Sequence, residues 1–409
     1  MAITDKEEGV WILNEVYAKQ NEGDIWSYTA AKELWSAGNN NYGRLGLNDT
    51  TSTSYSSPVQ IFGGGGNWFQ ASYGRDNTTA MMAMKSDGSV WSWGDQAPFG
   101  SGGRNVPTAG PSAVSSPVQI FAATGGAGSL ANSGSRSVFY RDSDGQLWAW
   151  GANSTYGELG LNSKQDKSSP TQVGTDTTWS NNLWSGSYNC IAAKTDGTLW
   201  TWGANGPSDF AGALGQGNKT NYSSPRQVGT DTTWATGRYQ GSAGTAMMAC
   251  VKTDGTLWTW GKNPVGVLGH NNNTDYSSPR QLPGTTWSTV SISTYGSCMA
   301  LKTDGTIWGW GDNYYGQLGL NAQTQFSSPK QIGTDTDWKF IIGGGPYIGR
   351  QTAAIKTDGT LWVWGWQGQS NAGNLGQNNI TQYSSPMQIP GTWSSASLGD
   401  YVAGYITDK

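Results

Sequence analysis

Reactive side chains are scarce in this chain of 409 residues, which holds one histidine, His270, and three cysteines. Around so isolated a histidine no Ser-His-Asp arrangement can be assembled, and no His/Cys spacing suited to zinc is present. Charge is low as well. Asp, Glu, Lys and Arg make up 13%, and 24 basic against 28 acidic residues leave a formal net charge of -4 with no basic run or stripe. Phosphate binding needs clustered cations, so no nucleic-acid partner is expected. No stretch approaches the roughly 18 consecutive apolar residues of a membrane span, and no basic segment followed by an apolar core opens the chain, so neither membrane insertion nor Sec export is expected. The run Gly63-Gly64-Gly65-Gly66 lacks the Gly-Lys-Ser/Thr ending of a phosphate loop, and no Asp-x-Asp-x-Asp-Gly string offers a calcium loop. These absences predict a protein that is not an enzyme and has no cofactor and no metal. His270, followed by Asn271, Asn272 and Asn273, reads as a solvated loop tip.

Glycine and tryptophan, by contrast, number 60 and 23, and both follow a repeat. The fullest copies run from a Lys-Thr-Asp-Gly turn to Trp-x-Trp-Gly, then an Asn/Gly-rich loop, then Ser-Ser-Pro-x-Gln. The tryptophan motif begins at Trp91, Trp148, Trp200, Trp258, Trp308 and Trp362, with a degenerate copy at Trp35-Ser36-Ala37-Gly38. The prolines are Pro58, Pro117, Pro170, Pro225, Pro279, Pro329 and Pro386. A period of roughly 50 residues marks propeller blades or solenoid units. Within one period, Leu257-Trp258-Thr259-Trp260, Arg280-Gln281-Leu282, Trp287 to Ile292 and Cys298 to Lys302 read as four short strands bounded by turn residues. The Asp-Gly pairs, such as Asp254-Gly255 and Asp304-Gly305, predict tight type I′ hairpins, in which both residues take positive φ.

One repeat is split between the two ends. Tyr405-Ile406-Thr407-Asp408 reads as a strand leading into such a turn, and Ala31-Lys32-Glu33-Leu34-Trp35 as the strand leaving one. Their pairing would complete a blade and close a ring, sparing the exposed edges of an open array. The expected fold over residues 30–409 is all-β: a seven-bladed β-propeller of four-stranded antiparallel blades, closed by the N- and C-terminal strands. A linear solenoid would leave the split repeat unexplained.

The pairing of Trp-x-Trp-Gly with Asn-x-x-Gly-x-Leu-Gly, as in Asn313-Tyr314-Tyr315-Gly316-Gln317-Leu318-Gly319, resembles the regulator of chromosome condensation repeat family across residues 34 to 409. The resemblance implies a seven-bladed propeller. It leaves function open, because the family includes nucleotide-exchange factors for a small GTPase, inhibitors that clamp enzymes, and scaffolds.

Tryptophans at fixed repeat positions are expected to pack blade against blade. Cys190, Cys250 and Cys298 lie at even offsets before an Asp-Gly turn, which puts them on one strand face in three successive blades as buried free thiols. Three loops depart from the repeat: Gln96 to Ala113 carries Phe99 and Arg104, an insertion at Pro207-Ser208-Asp209-Phe210 carries Phe210, and Trp366-Gln367-Gly368-Gln369 carries Trp366. Corresponding loops emerge on one face of a ring, so Phe99, Arg104, Phe210 and Trp366 are candidate contacts for a host-surface receptor.

Residues 1–29 match no repeat. Thr4-Asp5-Lys6-Glu7 has the form of a capping box and predicts a helix over about 5–20. Val10, Leu13 and Tyr17 form a stripe along it, widened by Trp11, Ile12 and Val16, and Ile25-Trp26-Ser27-Tyr28 reads as an extended lead into the first blade. An apolar helix outside a self-closing ring must bury its face, so Val10, Trp11, Leu13, Val16, Tyr17 and Trp26 are the expected anchoring residues. Uniform repeats, an Asn/Gly/Ser/Thr/Trp-heavy composition and a short apolar peg resemble bacteriophage fibre, spike and decoration proteins. The opening Met-Ala-Ile-Thr-Asp-Lys resembles the starts of such chains in phages of marine bacteria. The resemblance implies a virion structural protein, a tail fibre or capsid decoration at the virion surface, assembled in the bacterial host cytoplasm and held by phage capsid or tail proteins through residues 1–29. The alternative is a soluble protein-binding scaffold, inhibitor or exchange-factor-like propeller. The exchange-factor form would call for a basic tail, where this chain has Asp5-Lys6-Glu7-Glu8.

Overall fold

The computed structural model describes residues 32–48, 54–61, 66–73, 80–95, 113–121, 129–132, 137–153, 156–206, 209–293, 296–343, 350–367, 373–398 and 402–407. The expected helix over about 5–20 and its anchoring residues lie outside them. The described residues form an all-β propeller of seven four-stranded antiparallel blades. In chain order the first six span residues 68–121, 129–172, 179–227, 241–281, 287–331 and 338–389. Blade 7 is assembled from Trp393–Leu398, Val402–Thr407, Leu34–Asn39 and Ser54–Gln60, with Leu34 opposite Ile406 and Gly38 opposite Val402. Strands a to d of each blade are taken in this order. The a strands of neighbouring blades touch one another and ring the axis, and the d strands lie outermost. Because the strands alternate in direction, the a–b turns and c–d loops share one face, the loop face. The b–c hairpins and the blade-to-blade connections share the other, the hairpin face.

The hairpin geometry corrects the type I′ expectation. Gly305 has φ 78° and Gly255 has φ 76°, yet among the described residues no aspartate of these pairs takes positive φ. Gly305 N–H donates to Lys302 O and Lys302 N–H to Thr306 O, both at 3.0 Å, so Thr303-Asp304-Gly305 is a three-residue loop ending in a left-handed glycine. The reason lies in the side chain. Asp304 Oδ1 accepts from Thr306 N–H at 3.0 Å and from its hydroxyl at 2.6 Å, which favours a backbone without the positive φ of a type I′ turn. The glycine also docks the hairpin on the next blade. Gly305 O accepts from Trp338 N–H at 3.2 Å, and a Cβ on Gly305 would lie 1.9 Å from Thr336 O.

Tryptophan fills each junction, as the repeat leads one to expect. The second indole of the motif is fully buried at Trp202, Trp260, Trp310 and Trp364. It meets the tryptophan that opens its own blade edge-on, as Trp287 meets Trp310 at 6.0 Å. Its Nε1–H then reaches into the preceding blade, donating to the carbonyl just before Leu-Gly: Trp260 to Ala213 at 2.8 Å, Trp310 to Val267 at 2.7 Å, Trp364 to Gln317 at 2.9 Å. Trp93 closes the junction from blade 7 to blade 1 by donating to Arg44 O at 3.0 Å. The loop that offers the carbonyl is itself held by a buried amide, with Asn313 Oδ1 accepting from Leu318 N–H at 2.9 Å. The first indole of the motif is half-buried under a lysine, as Lys302 Nζ lies 4.0 Å from the Trp308 ring.

The Ser-Ser-Pro segment sits in a bulge of each d strand; in blade 3 it falls between the Gly203–Tyr222 and Thr201–Arg226 pairs. Proline needs no ladder bond there, and the freed Ser223 carbonyl accepts from Asn162 N–H of blade 2 at 2.7 Å. Blade 7 departs in one place. Ala37 stands where the other c strands carry the second tryptophan, and Tyr405 of the neighbouring b strand supplies the missing donor. The fully buried Tyr405 hydroxyl donates to Asn374 O at 3.1 Å, just before Leu375. The three cysteines are free and buried, and burial pushes the Cys250 thiol up to about 12, which leaves it inert.

Candidate binding face

On the loop face, side chains from variable positions in and beside the repeat signature come together between blades 5 and 6. Tyr315 follows Asn313 in the c–d loop of blade 5, and its N–H donates to Gln317 Oε1 at 2.9 Å. Asp312 steadies the same loop by accepting from the side-chain amides of Gln317 and Gln325, each at 2.8 Å. So held, the Tyr315 ring lies 5.6 Å from Trp366 in the c–d loop of blade 6. The Arg350 guanidinium, at the start of the b strand of blade 6, stacks 4.3 Å from Tyr315 and 5.7 Å from Trp366, and its Nη1 donates to the Tyr315 hydroxyl at 3.2 Å. Tyr314 packs on Tyr315 at 4.9 Å and stands 68% exposed. A phenol, an indole and a guanidinium can stack on a partner and donate hydrogen bonds to it.

Trp366 is thus brought into this cluster, half-buried. Phe210 is not presented to solvent. It is 5% exposed and packs against Tyr156 at 5.3 Å and Tyr188 at 5.8 Å, bracing the junction of blades 2 and 3. Phe99, Arg104, Val10, Trp11, Leu13, Val16, Tyr17 and Trp26 lie outside the described residues. Tyr314, Tyr315 and Arg350 escaped the sequence reading because the two tyrosines lie inside the repeat signature and Arg350 inside an ordinary strand start. His270 corrects a further expectation: it is half-buried, its Nε2 lies 3.1 Å from Thr259 Oγ1, and its ring meets Tyr276 edge-on at 5.4 Å. Burial, aided by Arg280, brings it down to about 4, so the ring is neutral at physiological pH. Among the described residues no group of three or more His, Cys, Asp or Glu side chains is placed to hold a metal, and no helix is long and apolar enough to cross a membrane.

The hairpin face carries recurrent ion pairs, Lys194 with Asp176 and Lys252 with Asp231. Burial pushes both carboxyls up, but hydrogen bonds from the lysines and from Thr178 and Thr233 outweigh it and bring each down to about 2. Because the folded values lie below the unfolded one of roughly 3.9, these pairs contribute stability that is complete above pH about 4 and is lost as pH falls toward 2. Both carboxylates are about one-third exposed, so solvent screens the effect. The urea midpoint is expected to drop between pH 5 and pH 2, and to drop less in an Asp176→Asn/Asp231→Asn variant. Equal drops in the two proteins would rule the pairs out as the cause.

Four stretches, residues 33–81, 144–181, 254–299 and 304–343, match the Regulator of chromosome condensation (RCC1) repeat, and residues 289–317 match a second family of the same description. These stretches are RCC1-like, and together with the curated relatives they support the RCC1 repeat family. It is similar to the E3 ubiquitin-protein ligase HERC2 of Homo sapiens, 26% identical over 300 residues, covering 71% of this chain and 6% of the ligase. It is similar also to the ultraviolet-B receptor UVR8 of Arabidopsis thaliana, 26% identical over 324 residues, covering 77% of this chain and 56% of the receptor. Among solved structures, Prp20p from Saccharomyces cerevisiae aligns with TM-score 0.75 at 16% identity over 93% of this chain and 92% of that one. Human WBSCR16 aligns with TM-score 0.74 at 17% identity over 93% and 99%. At these identities the likeness is one of fold.

Proposed function

We propose that this chain is a non-catalytic binding head, carried on the surface of a bacteriophage particle as a fibre, spike or decoration protein and turned with its loop face toward a partner. The observation that supports binding best is the cluster of Tyr314, Tyr315, Arg350 and Trp366, which stands apart from the buried motif indoles that hold the blades together. Tyrosine, tryptophan and arginine dominate protein hot spots because each offers a large rigid surface with a polar handle. Placement on a particle is supported by the uniform repeats, the Asn/Gly-rich composition and the apolar stripe of residues 10–17. In this reading residues 5–20 form a helix seated in capsid or tail proteins, and pairing of the terminal strands closes the ring. A soluble scaffold is the second reading, favoured by the likeness in fold to Prp20p, a protein described by its binding to Gsp1p and histones.

Deleting residues 1–20 separates the two. On the particle reading, the shortened protein melts as the full chain does but no longer co-sediments with phage particles. A fall of several degrees in the melting midpoint, or failure of the full chain itself to sediment with particles, would favour the scaffold.

A further inference from the structure

Side chains from four blades converge on the ring axis toward the hairpin face. Tyr239 belongs to residues 235–240, which precede the a strand of blade 4. Its ring lies 5.5 Å from Phe340 of blade 6 and 6.0 Å from Trp184 of blade 3. It is held at φ 74°, an uncommon conformation for an aromatic residue, with its carbonyl accepting from Val290 N–H of blade 5 at 3.0 Å. The Arg238 guanidinium spans the axis, 5.0 Å from the Tyr239 ring and 5.4 Å from Phe69 of blade 1. Lys339 lies over the ring of Phe340, which packs on Tyr239, at 5.3 Å. Among the described residues neither cation has an ion pair or hydrogen bond, unlike the lysines of the hairpins. An aromatic floor carrying two such cations calls for carboxylates.

A cavity of about 320 Å³ opens next to this floor between blades 6 and 7, with Lys32, Lys339, Phe340, Thr392 and Trp393 on its wall. Lys32 is the residue through which residues 1–31 join the fold. Its carbonyl accepts from Trp68 N–H at 3.1 Å, one residue from Phe69. The tether therefore starts on the wall of the cavity that Lys339 also lines, and is tied by its carbonyl to the strand that carries Phe69. Residues 21–31, Asn-Glu-Gly-Asp-Ile-Trp-Ser-Tyr-Thr-Ala-Ala, carry two carboxylates, no cation and three large apolar side chains. The run from Lys32 back to Asp24 can span up to about 27 Å, enough to cross the hairpin face.

We propose that residues 21–31 fold back over the hairpin face, seat Trp26 in this cavity and bring the carboxylates of Glu22 and Asp24 to Lys339 and Arg238. The docking directs residues 1–20 away from the head near its axis, and it stands whether or not those residues anchor to a particle. Carbodiimide treatment of the dilute full-length protein, which joins a carboxylate to an amine in direct contact, is expected to give an isopeptide from Asp24 or Glu22 to Lys339 within monomers. Limited proteolysis by a non-specific protease supplies an independent measure. Cleavage inside residues 21–31 is expected to speed up about ten-fold in Arg238→Glu/Lys339→Glu, and to return near the original rate when Glu22→Lys/Asp24→Lys is added to that variant. An unchanged cleavage rate in the charge-reversed protein, or an isopeptide formed only between two copies, overturns the proposal. The latter would assign the axial cations to a second copy.

Discussion

A chain ending at Asp400 is expected to lose its single cooperative unfolding transition and to sediment as aggregates. Such a chain lacks Val402–Thr407, which pairs with Leu34 to Gly38 on one side and with Trp393 to Leu398 on the other. Its removal leaves two unpaired strand edges facing one another across a gap, and exposed edges recruit other chains. It also empties the space of Ala403, Tyr405 and Ile406, all essentially inaccessible to solvent. Losing a large buried aromatic side chain costs about 3–5 kcal/mol and a buried isoleucine about 2–5 kcal/mol. Together these approach the roughly 5–15 kcal/mol by which a native domain is stable. Calorimetry and analytical ultracentrifugation of the shortened and full-length proteins would decide the matter. A sharp transition within a few degrees of the original, from a monomer, would show that the ring stands without its final strand.

Trp310→Ala is expected to cost about 3–5 kcal/mol and Trp308→Ala markedly less, although the two residues belong to the same motif with one residue between them. Trp310 is fully buried between blades, packed on Trp287 and donating to Val267 O, so truncation leaves both a cavity and a buried carbonyl without its donor. Trp308 is half-buried, with Lys302 over its ring and Nε1–H on Thr306 Oγ1 at 2.9 Å, so water can fill what truncation leaves. Trp310→Phe keeps most of the packing but removes the donor, and should fall between the two. Urea unfolding of the three variants measures the order. Equal losses at 308 and 310 would mean that the buried member is not the one holding the junction.

Much of this architecture was legible because the repeat states the same physical demands again and again. The Trp-x-Trp-Gly pairs foretold strands seated in a packed interior, and in the c strand of blade 5 Ile307, Gly309 and Trp310 are buried while Trp308 is half-buried. Features depending on a neighbour in space were hidden. In sequence Asp304 marks only a turn, whereas in space its carboxylate decides the turn by capturing Thr306. His270 sits among asparagines in sequence but against Thr259 and Tyr276 in space. Phe210 arrives in an insertion and still finds a pocket between Tyr156 and Tyr188. The cluster around Arg350 and the axial group around Arg238 each draw on several blades, and no spacing along one strand announces them.

The exchange of Trp for Ala37, with the donor moved to Tyr405, bears on how the ring is made during synthesis. In the junctions tied by Trp202, Trp260, Trp310 and Trp364, the donating indole is made after the carbonyl it will meet, within one blade's length of chain. The c strand of blade 7 is made before every other blade. A tryptophan at position 37 would leave the ribosome with an unspent indole N–H, free to fasten to the loop of whichever blade emerged next. Alanine has nothing to fasten with. The corresponding donor waits on Tyr405, made when the carbonyl of Asn374 and all the blades between already exist. The side chain that ties blade 7 to blade 6 is therefore the last of these donors to be made.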